Sequence, residues 1–251
     1  MVYRCHMESY LTKYREVRTR TEAICRRLKT DDYIVQPIAE VSPPKWHLGH
    51  TTWFFETFLL GPYLLDYNVF DPDFSFVFNS YYETVGARIL RTDRGNLSRP
   101  SVDEVYRYRA YVDSQMELLF QQEMTGEALA RLELGLNHEQ QHQELLLADI
   151  KYIFGHNPLF PSYIEKHEGV APPVTTTLEL GSSLISISEG VYEIGFGGDG
   201  FCFDNEKGRH KVFLHTVDVA KQLVTNREYL EFIADGGYQD FRHWLLRAGI
   251  G

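Results

Sequence analysis

Two histidines in one short stretch are the residues of this chain best suited to chemistry. His138 and His142 lie four positions apart in His-Glu-Gln-Gln-His, so on a helix both side chains project from one face toward a single metal ion. The stretch also fits the zinc-peptidase pattern H-E-x-x-H, in which Glu139 would be the general base. Two ligands do not complete a site, and the third ligand decides which chemistry follows.

The peptidase interpretation needs a third ligand downstream of the pair. The longer metzincin pattern fails, because Leu145 stands where its glycine belongs and Ala148 where its third histidine belongs. Glu165 or Glu168 could serve instead, but both lie in a proline-containing segment rather than on a following helix. The residues therefore disfavour a peptidase, and an ordinary pair of surface histidines stays open as an alternative.

A better third ligand lies upstream, in Lys-Trp-His-Leu-Gly-His at 45–50. In a helical bundle, one of His47 and His50 could complete a facial set of three histidines and leave coordination positions open for substrates. For either residue taken alone, a hydrogen-bonded core histidine is an equally good interpretation.

The sequence predicts four long helices that would position these histidines. Apolar residues recur at three- and four-residue steps over 8–28, and residues 46–60 are apolar nearly all round. Ser101 and Glu104 form a capping-box pair at the start of a third helix. A fourth helix should span 126–154, with Gly135 as a weak point. Four long helices indicate a bundle, whose interior is a common place for metal sites.

The composition changes after the fourth helix. We expect the bundle to occupy 1–165, a linker to occupy 166–177, and a β-rich unit to occupy 178–251. Short strands are predicted at 184–187, 191–194, 211–214 and 217–219, with one short helix over 225–234. The expected fold class is therefore α+β.

Charge and composition limit the partners of the chain. Its 251 residues carry a formal net charge of -10, which disfavours nucleic acid and anionic membranes, since both reward a basic face. There is no apolar run of membrane-spanning length and no secretory signal pattern at the N-terminus. We therefore expect a cytoplasmic protein with small-molecule substrates. Cys5, Cys25 and Cys202 are too widely spaced for a disulfide framework or a metal knuckle.

Several ordered motifs together resemble one enzyme family. They are Ser-Pro-Pro-Lys-Trp-His-Leu-Gly-His-Thr-Thr-Trp-Phe-Phe-Glu at 42–56, Phe-Asn-Ser-Tyr-Tyr-Glu at 78–83, Arg-Gly-Asn-Leu-Ser-Arg-Pro at 94–100 and His-Glu-Gln-Gln-His-Gln-Glu at 138–144. These motifs are similar to those of the ergothioneine-biosynthesis sulfoxide synthases, which join a DinB-like four-helix bundle to a domain resembling the formylglycine-generating enzyme. Segments 203–206, 209–210, 224–229 and 235–238 are similar to the opening of that β-rich, C-type-lectin-like domain.

The resemblance implies a site and a reaction. It implies Fe(II) held by His50, His138 and His142, with His47 as a neighbour and Glu139 without a role as base. It further implies that Gln141 contacts hercynine, the trimethylhistidine substrate. Arg88 and Arg91 would bind the carboxylate of the thiol substrate, which suits the fork geometry of arginine. The implied reaction couples cysteine or γ-glutamylcysteine to hercynine with O₂ as co-substrate, and the sulfur becomes a sulfoxide.

The chain departs from the family at its C-terminal end. The family's second domain continues well beyond Tyr238 and contributes a catalytic tyrosine and further substrate contacts. We therefore expect a shortened chain that turns over poorly alone, or one whose missing part is supplied by a separate chain. Two alternatives of other classes stay open. One is a DinB-like zinc or nickel hydrolase or thiol transferase at the same histidines, and the other is a non-catalytic metal-binding remnant.

Overall fold

The computed structural model describes residues 2–80, 86–164 and 184–244, with side chains described from Met7 onward. The chain divides into two compact units, Met1–Val170 and Ala171–Gly251. The predicted linker 166–177 lies outside the described residues, so the predicted domain bounds 1–165 and 178–251 stay predictions.

The first unit is helical, and its four long helices are those that the sequence predicts. Its helices are α1 Val2–Cys25, α2 Pro44–Phe55, α3 Gly61–Tyr63, α4 Phe74–Phe78, α5 Val102–Leu119 and α6 Gly126–His156. A π-helical turn, Glu56–Leu60, joins α2 to α3, and 3₁₀ turns occupy Thr30–Ile34 and Arg91–Asn96. Pro44 occupies the first turn of α2, and Ser101 and Glu104 form the predicted capping box of α5.

Helix α2 is the central helix of this unit. All of its residues are buried, and it packs against α1, α5 and α6. A helix that is apolar nearly all round can satisfy its side chains only in such a position. The core therefore surrounds the helix that carries His47 and His50.

Gly135, the weak point that the sequence predicts, lies inside α6 where this helix meets α2. The helix runs without interruption through this residue. A β-carbon there would lie 2.8 Å from the rings of both Phe54 and Phe55. Glycine at this position lets α6 approach α2 closely, which brings the histidines of the two helices within reach of one another.

Between residues 184 and 244, the described part of the second unit contains two small antiparallel sheets and one α-helix. Strand β1 Leu184–Ile187 pairs with β4 Val217–Ala220, and β2 Gly190–Ile194 pairs with β3 His210–Leu214. Helix α7 Asn226–Ala234 begins with a capping box between Thr225 and Glu228. A helical unit followed by a small β-containing region confirms the predicted α+β fold class. The likeness of this region to the formylglycine-generating enzyme stays a prediction.

Within the described residues, no helix combines the length and the apolar content needed to cross a lipid bilayer. The expected cytoplasmic location stays a prediction.

Candidate metal centre

Three histidines from two helices meet at one point of the first unit. His50 comes from α2, and His138 and His142 come from successive turns of α6. One ring nitrogen of each lies within 4.8 Å of the others, and the Nε2 atoms of His50 and His138 are 3.2 Å apart. The structure thus brings together the three residues that the resemblance implies as ligands.

The spacing of the two nitrogens suits a shared metal ion. Metal–imidazole bonds are about 2.0–2.1 Å long, which places two donor atoms at ordinary coordination angles about 3 Å apart. The Nε2 atoms of His50 and His138 have that separation. The donor set therefore fits a divalent transition metal ion held by three imidazoles.

The ring orientation of His50 is fixed from three sides. Its Nδ1 lies 2.6 Å from the carbonyl oxygen of Phe78, and because a carbonyl only accepts, Nδ1 carries the proton. The indoles of Trp46 and Trp53 lie nearly parallel to the imidazole, with centroids at 4.6 and 5.7 Å. The lone pair of Nε2 is therefore held toward the other two histidines.

All three histidines are neutral at ordinary pH. Burial and the neighbouring histidines hold the pKa values of His50 and His142 well below their usual range. Burial lowers the pKa of His138 to about 4, although Glu139 opposes that shift. A neutral imidazole has the lone pair that a metal needs, so the ligands do not have to lose protons first.

His47 lies beside the three histidines but points elsewhere. Its Nδ1 is 2.8 Å from Nδ1 of His142, and its Nε2 is 2.9 Å from Oδ2 of Asp149. Burial lowers the pKa of His47, although the hydrogen bond to Asp149 opposes that effect. The geometry thus separates the two upstream candidates, since Nε2 of His50 faces Nε2 of His138 at 3.2 Å, whereas Nε2 of His47 faces the carboxylate of Asp149.

A cavity of about 460 Å³ opens onto the histidines. Its lining comprises Glu40, Ser42, Trp46, His47, His50, Ser80, Arg91, Arg94, His138, Gln141, His142, Leu145 and Asp149. Of the predicted substrate-binding residues, Gln141 and Arg91 are on this wall. Arg88 does not line the cavity. Its guanidinium donates to the carbonyl oxygen of Ser80, which is a lining residue.

Arg94 and Asp149 are cavity residues to which the sequence assigned no role. The Arg94 guanidinium lies 3.4 Å above the ring of Trp46 and donates to the hydroxyls of Ser42 and Ser80. A signal for Asp149 was available, because seven residues make about two turns and place it on the same helix face as His142. Arg94 lies within the motif at 94–100, but only the fold shows which way it points.

Glu139 lies on the other side of α6, inside an ionic cluster. Its carboxylate accepts from Arg109 at 2.6 Å, Arg18 at 3.0 Å and Thr21 at 2.6 Å, and the side chain is fully buried. Burial acts to raise the pKa of Glu139, but Arg109 and Arg18 outweigh it and lower the pKa to about 2. A carboxylate used in this way anchors the helix and is not aimed at the cavity as a peptidase base would be.

Comparisons with known proteins relate the helical unit to one superfamily. The sequence profile of the DinB superfamily matches residues 13–146, more than half of the chain. A protein of Mycolicibacterium smegmatis named hercynine oxygenase is 30% identical over 119 residues, covering 47% of this chain and 26% of that protein. A hercynine oxygenase of Mycolicibacterium thermoresistibile is 31% identical over 110 residues, covering 43% and 23%. The matched part spans about a quarter of the length of these curated relatives.

Proposed function

The chain belongs to the DinB superfamily, and from that premise we propose that its helical unit is the metal centre of a non-haem iron sulfoxide synthase of ergothioneine biosynthesis. The observation that carries the proposal is the meeting of three neutral histidines at a cavity bordered by arginines. The name of the two relatives, hercynine oxygenase, supports the same reaction class.

His50, His138 and His142 would hold Fe(II). Three neutral imidazoles leave the charge of the ion uncompensated and leave coordination positions open, as oxidation by O₂ requires. When bound, Fe(II) would supply the redox chemistry by which O₂ oxidises a thiol sulfur. The cavity beside these histidines has room and polar side chains for a small-molecule substrate.

The arginines give the cavity a preference for anions. Burial is the main cause of the lowered pKa of His47, and the positive charges of Arg94 and Arg91 add to it, so their field reaches the site. A thiol such as cysteine or γ-glutamylcysteine carries a carboxylate, which the planar guanidinium groups of Arg91 and Arg88 could bind. The thiol sulfur would then be directed toward the histidines while its carboxylate stays at the rim.

Gln141 is the residue proposed to orient hercynine. It precedes His142 and lines the cavity, and its side-chain amide both donates and accepts hydrogen bonds. The imidazole of hercynine has one donor and one acceptor nitrogen, so a hydrogen bond from or to the Gln141 amide could set the orientation of the ring.

The proposed reaction balances with O₂ as the oxidant. A carbon–sulfur bond forms between the thiol and the imidazole carbon of hercynine, which together lose two hydrogen atoms. One oxygen atom becomes the sulfoxide oxygen, and the other leaves as water with those two hydrogens. Cysteine and γ-glutamylcysteine both satisfy this balance.

The test combines metal analysis with turnover. Protein loaded with Fe(II) is incubated with hercynine and each thiol, with and without O₂, and the sulfoxide is followed by mass spectrometry. His50→Ala and His142→Ala should lose the metal, whereas His156→Ala, at the end of the same helix, should retain it. Stoichiometric metal in both of the first two variants would remove the proposed ligand set. Zinc-dependent turnover without O₂ would instead favour a hydrolase or thiol transferase.

A further inference from the structure

We propose that Asp149 and His47 are positioning residues that fix the ring tautomer of His142 and so present its Nε2 to the metal. This inference rests on the proposed metal site and extends it to residues that do not touch the ion. It concerns a hydrogen-bonded chain of three side chains, Asp149–His47–His142, which we call the relay.

The relay has short contacts at both links. Nε2 of His47 lies 2.9 Å from Oδ2 of Asp149, and Nδ1 of His47 lies 2.8 Å from Nδ1 of His142. The imidazoles of His47 and His142 meet edge to face, with centroids 5.1 Å apart. His47, the middle residue of the relay, is 2% exposed, and Asp149 at its end is 15% exposed.

The direction of each hydrogen bond follows from what each group can donate. An ionised carboxylate only accepts, so His47 must donate from Nε2 to Asp149. A neutral imidazole has one donor and one acceptor, which makes Nδ1 of His47 an acceptor. His142 must therefore donate from its own Nδ1, and its Nε2 keeps the lone pair that a metal requires.

At His50 a single hydrogen bond fixes the same tautomer, because the carbonyl oxygen of Phe78 accepts from Nδ1 at 2.6 Å. Ligating histidines usually donate their second N–H to a carboxylate or a carbonyl, which fixes the tautomer and the ring. His142 differs in that another histidine stands between it and the carboxylate. Removing the relay would let His142 place its proton on Nε2 and block the lone pair.

Asp149 is itself held in position by the backbone. The amide of Ser42 donates to Oδ2 of Asp149 at 3.0 Å, so one oxygen accepts from both Ser42 and His47. An asparagine at 149 can place its amide oxygen there and preserve both hydrogen bonds. Asp149→Asn is therefore a matched control for Asp149→Leu, which has no acceptor.

A similar pair of variants exists at His47. In His47→Asn, the amide oxygen can occupy the position of Nδ1 and still accept from His142. In His47→Phe, the ring volume is kept and the acceptor is lost. His156→Phe removes a histidine of α6 that is exposed and hydrogen-bonded to the carbonyl oxygen of Tyr152, so it controls for loss of a histidine elsewhere.

Two measurements test the relay, and neither needs turnover. In the metal-free protein, the ¹⁵N shifts of the histidine rings should show the proton of His142 on Nδ1, and Asp149→Leu and His47→Phe should move it to Nε2. Affinity for Fe(II), measured without O₂ by competition with a chelator, should fall about 10–100-fold in those two variants, as is typical when an outer partner of a ligand is lost. Asp149→Asn, His47→Asn and His156→Phe should stay within a few-fold of the parent.

The outcomes separate the relay from the proposed function. Protonation of His142 at Nε2 in the parent protein would overturn the relay even if iron binds. So would equal loss of affinity in Asp149→Leu and Asp149→Asn. Complete loss of iron in both His47 variants would make His47 a ligand and would also overturn it. The predicted tautomers without any iron binding would support the relay and refute the iron site. Circular dichroism identifies any variant that fails to fold, and the ring shifts of the parent still decide.

Discussion

Glu139→Gln should destabilise the helical unit strongly, because it removes the only carboxylate that the described contacts place between two buried guanidinium groups. Arg109 and Arg18 are 0% and 3% exposed, at 2.6 and 3.0 Å from the Glu139 oxygens. Removing one partner of a buried pair typically costs about 3–5 kcal/mol, because the remaining charge stays in a dry interior. Arg18 keeps Asp113 at 2.6 Å and Arg109 keeps Glu22 at 3.0 Å, so we expect a loss at the lower end of that range. The pKa of Glu139, lowered from 4.5 to about 2, gives a similar figure of about 3 kcal/mol at about 1.36 kcal/mol per pKa unit.

The pH dependence of this loss has a definite sign. A carboxyl group whose pKa is lower in the folded state stabilises the fold above its unfolded pKa. That contribution is lost as the pH falls from 4.5 toward about 2. The difference in unfolding free energy between the parent and Glu139→Gln should therefore be constant at neutral pH and shrink progressively below 4.5.

The assay is denaturant unfolding followed by far-ultraviolet circular dichroism at several pH values. The matched control is Glu127→Gln on the same helix, whose partner Arg131 lies at 2.6 Å and whose side chain is 67% exposed. An exposed pair of this kind contributes about 0–1 kcal/mol. If Glu139→Gln costs no more than Glu127→Gln, or if its cost does not depend on pH, the role assigned to the ionic cluster is refuted.

Three further predictions concern packing, a buried hydrogen bond and the ligands. Gly135→Ala places a β-carbon 2.8 Å from two buried phenylalanine rings and should lower the free energy of unfolding by about 1–3 kcal/mol. The control is Gly126→Ala, whose β-carbon meets nothing within 4 Å and which should not lower the melting temperature. Tyr108→Phe removes the hydroxyl that donates to Glu56 at 2.5 Å and should cost about 1–3 kcal/mol in the same melts. Burial lowers the pKa of His138 to about 4, and His50 and His142, the other two proposed ligands, are also neutral. Zinc affinity should therefore be nearly constant between about pH 5.5 and 7.5. By contrast, a site of ordinary histidines with pKa values of about 6.5 would lose affinity across that range. Calorimetry that detects a proton released per histidine would contradict this expectation.

The helices were predictable because their signals are local. Apolar spacing within α6 and the capping box at Ser101 require only neighbouring residues, and the structure has both. The π-helical turn Glu56–Leu60 was not predicted, since one extra residue in a turn leaves an all-round apolar pattern unchanged. Helix α1 starts at Val2 rather than at residue 8, in a stretch with less regular apolar spacing.

The candidate metal centre was predictable in part. The spacing of His138 and His142 follows from helix geometry, but the choice between His47 and His50 does not, because both lie on a helix that is buried all round. The contact of His47 with Asp149 joins residues 102 positions apart, and only the packing of α2 against α6 creates it. Partners of this kind have no local signature.

The consecutive residues His138 and Glu139 face different sides of α6, one in the candidate metal centre and the other in the ionic cluster. Each residue of an α-helix is rotated by about 100° from the one before. Inserting or deleting a single residue between Gly135 and His138 would therefore turn both side chains together by about 100° relative to the face on which Gly135 packs against Phe54 and Phe55. We expect homologous chains to vary in sequence along this helix and to keep the spacing between Gly135 and His138 constant. Differences in length should instead accumulate in the connections around Asp66 and Ser98, which lie outside the long helices.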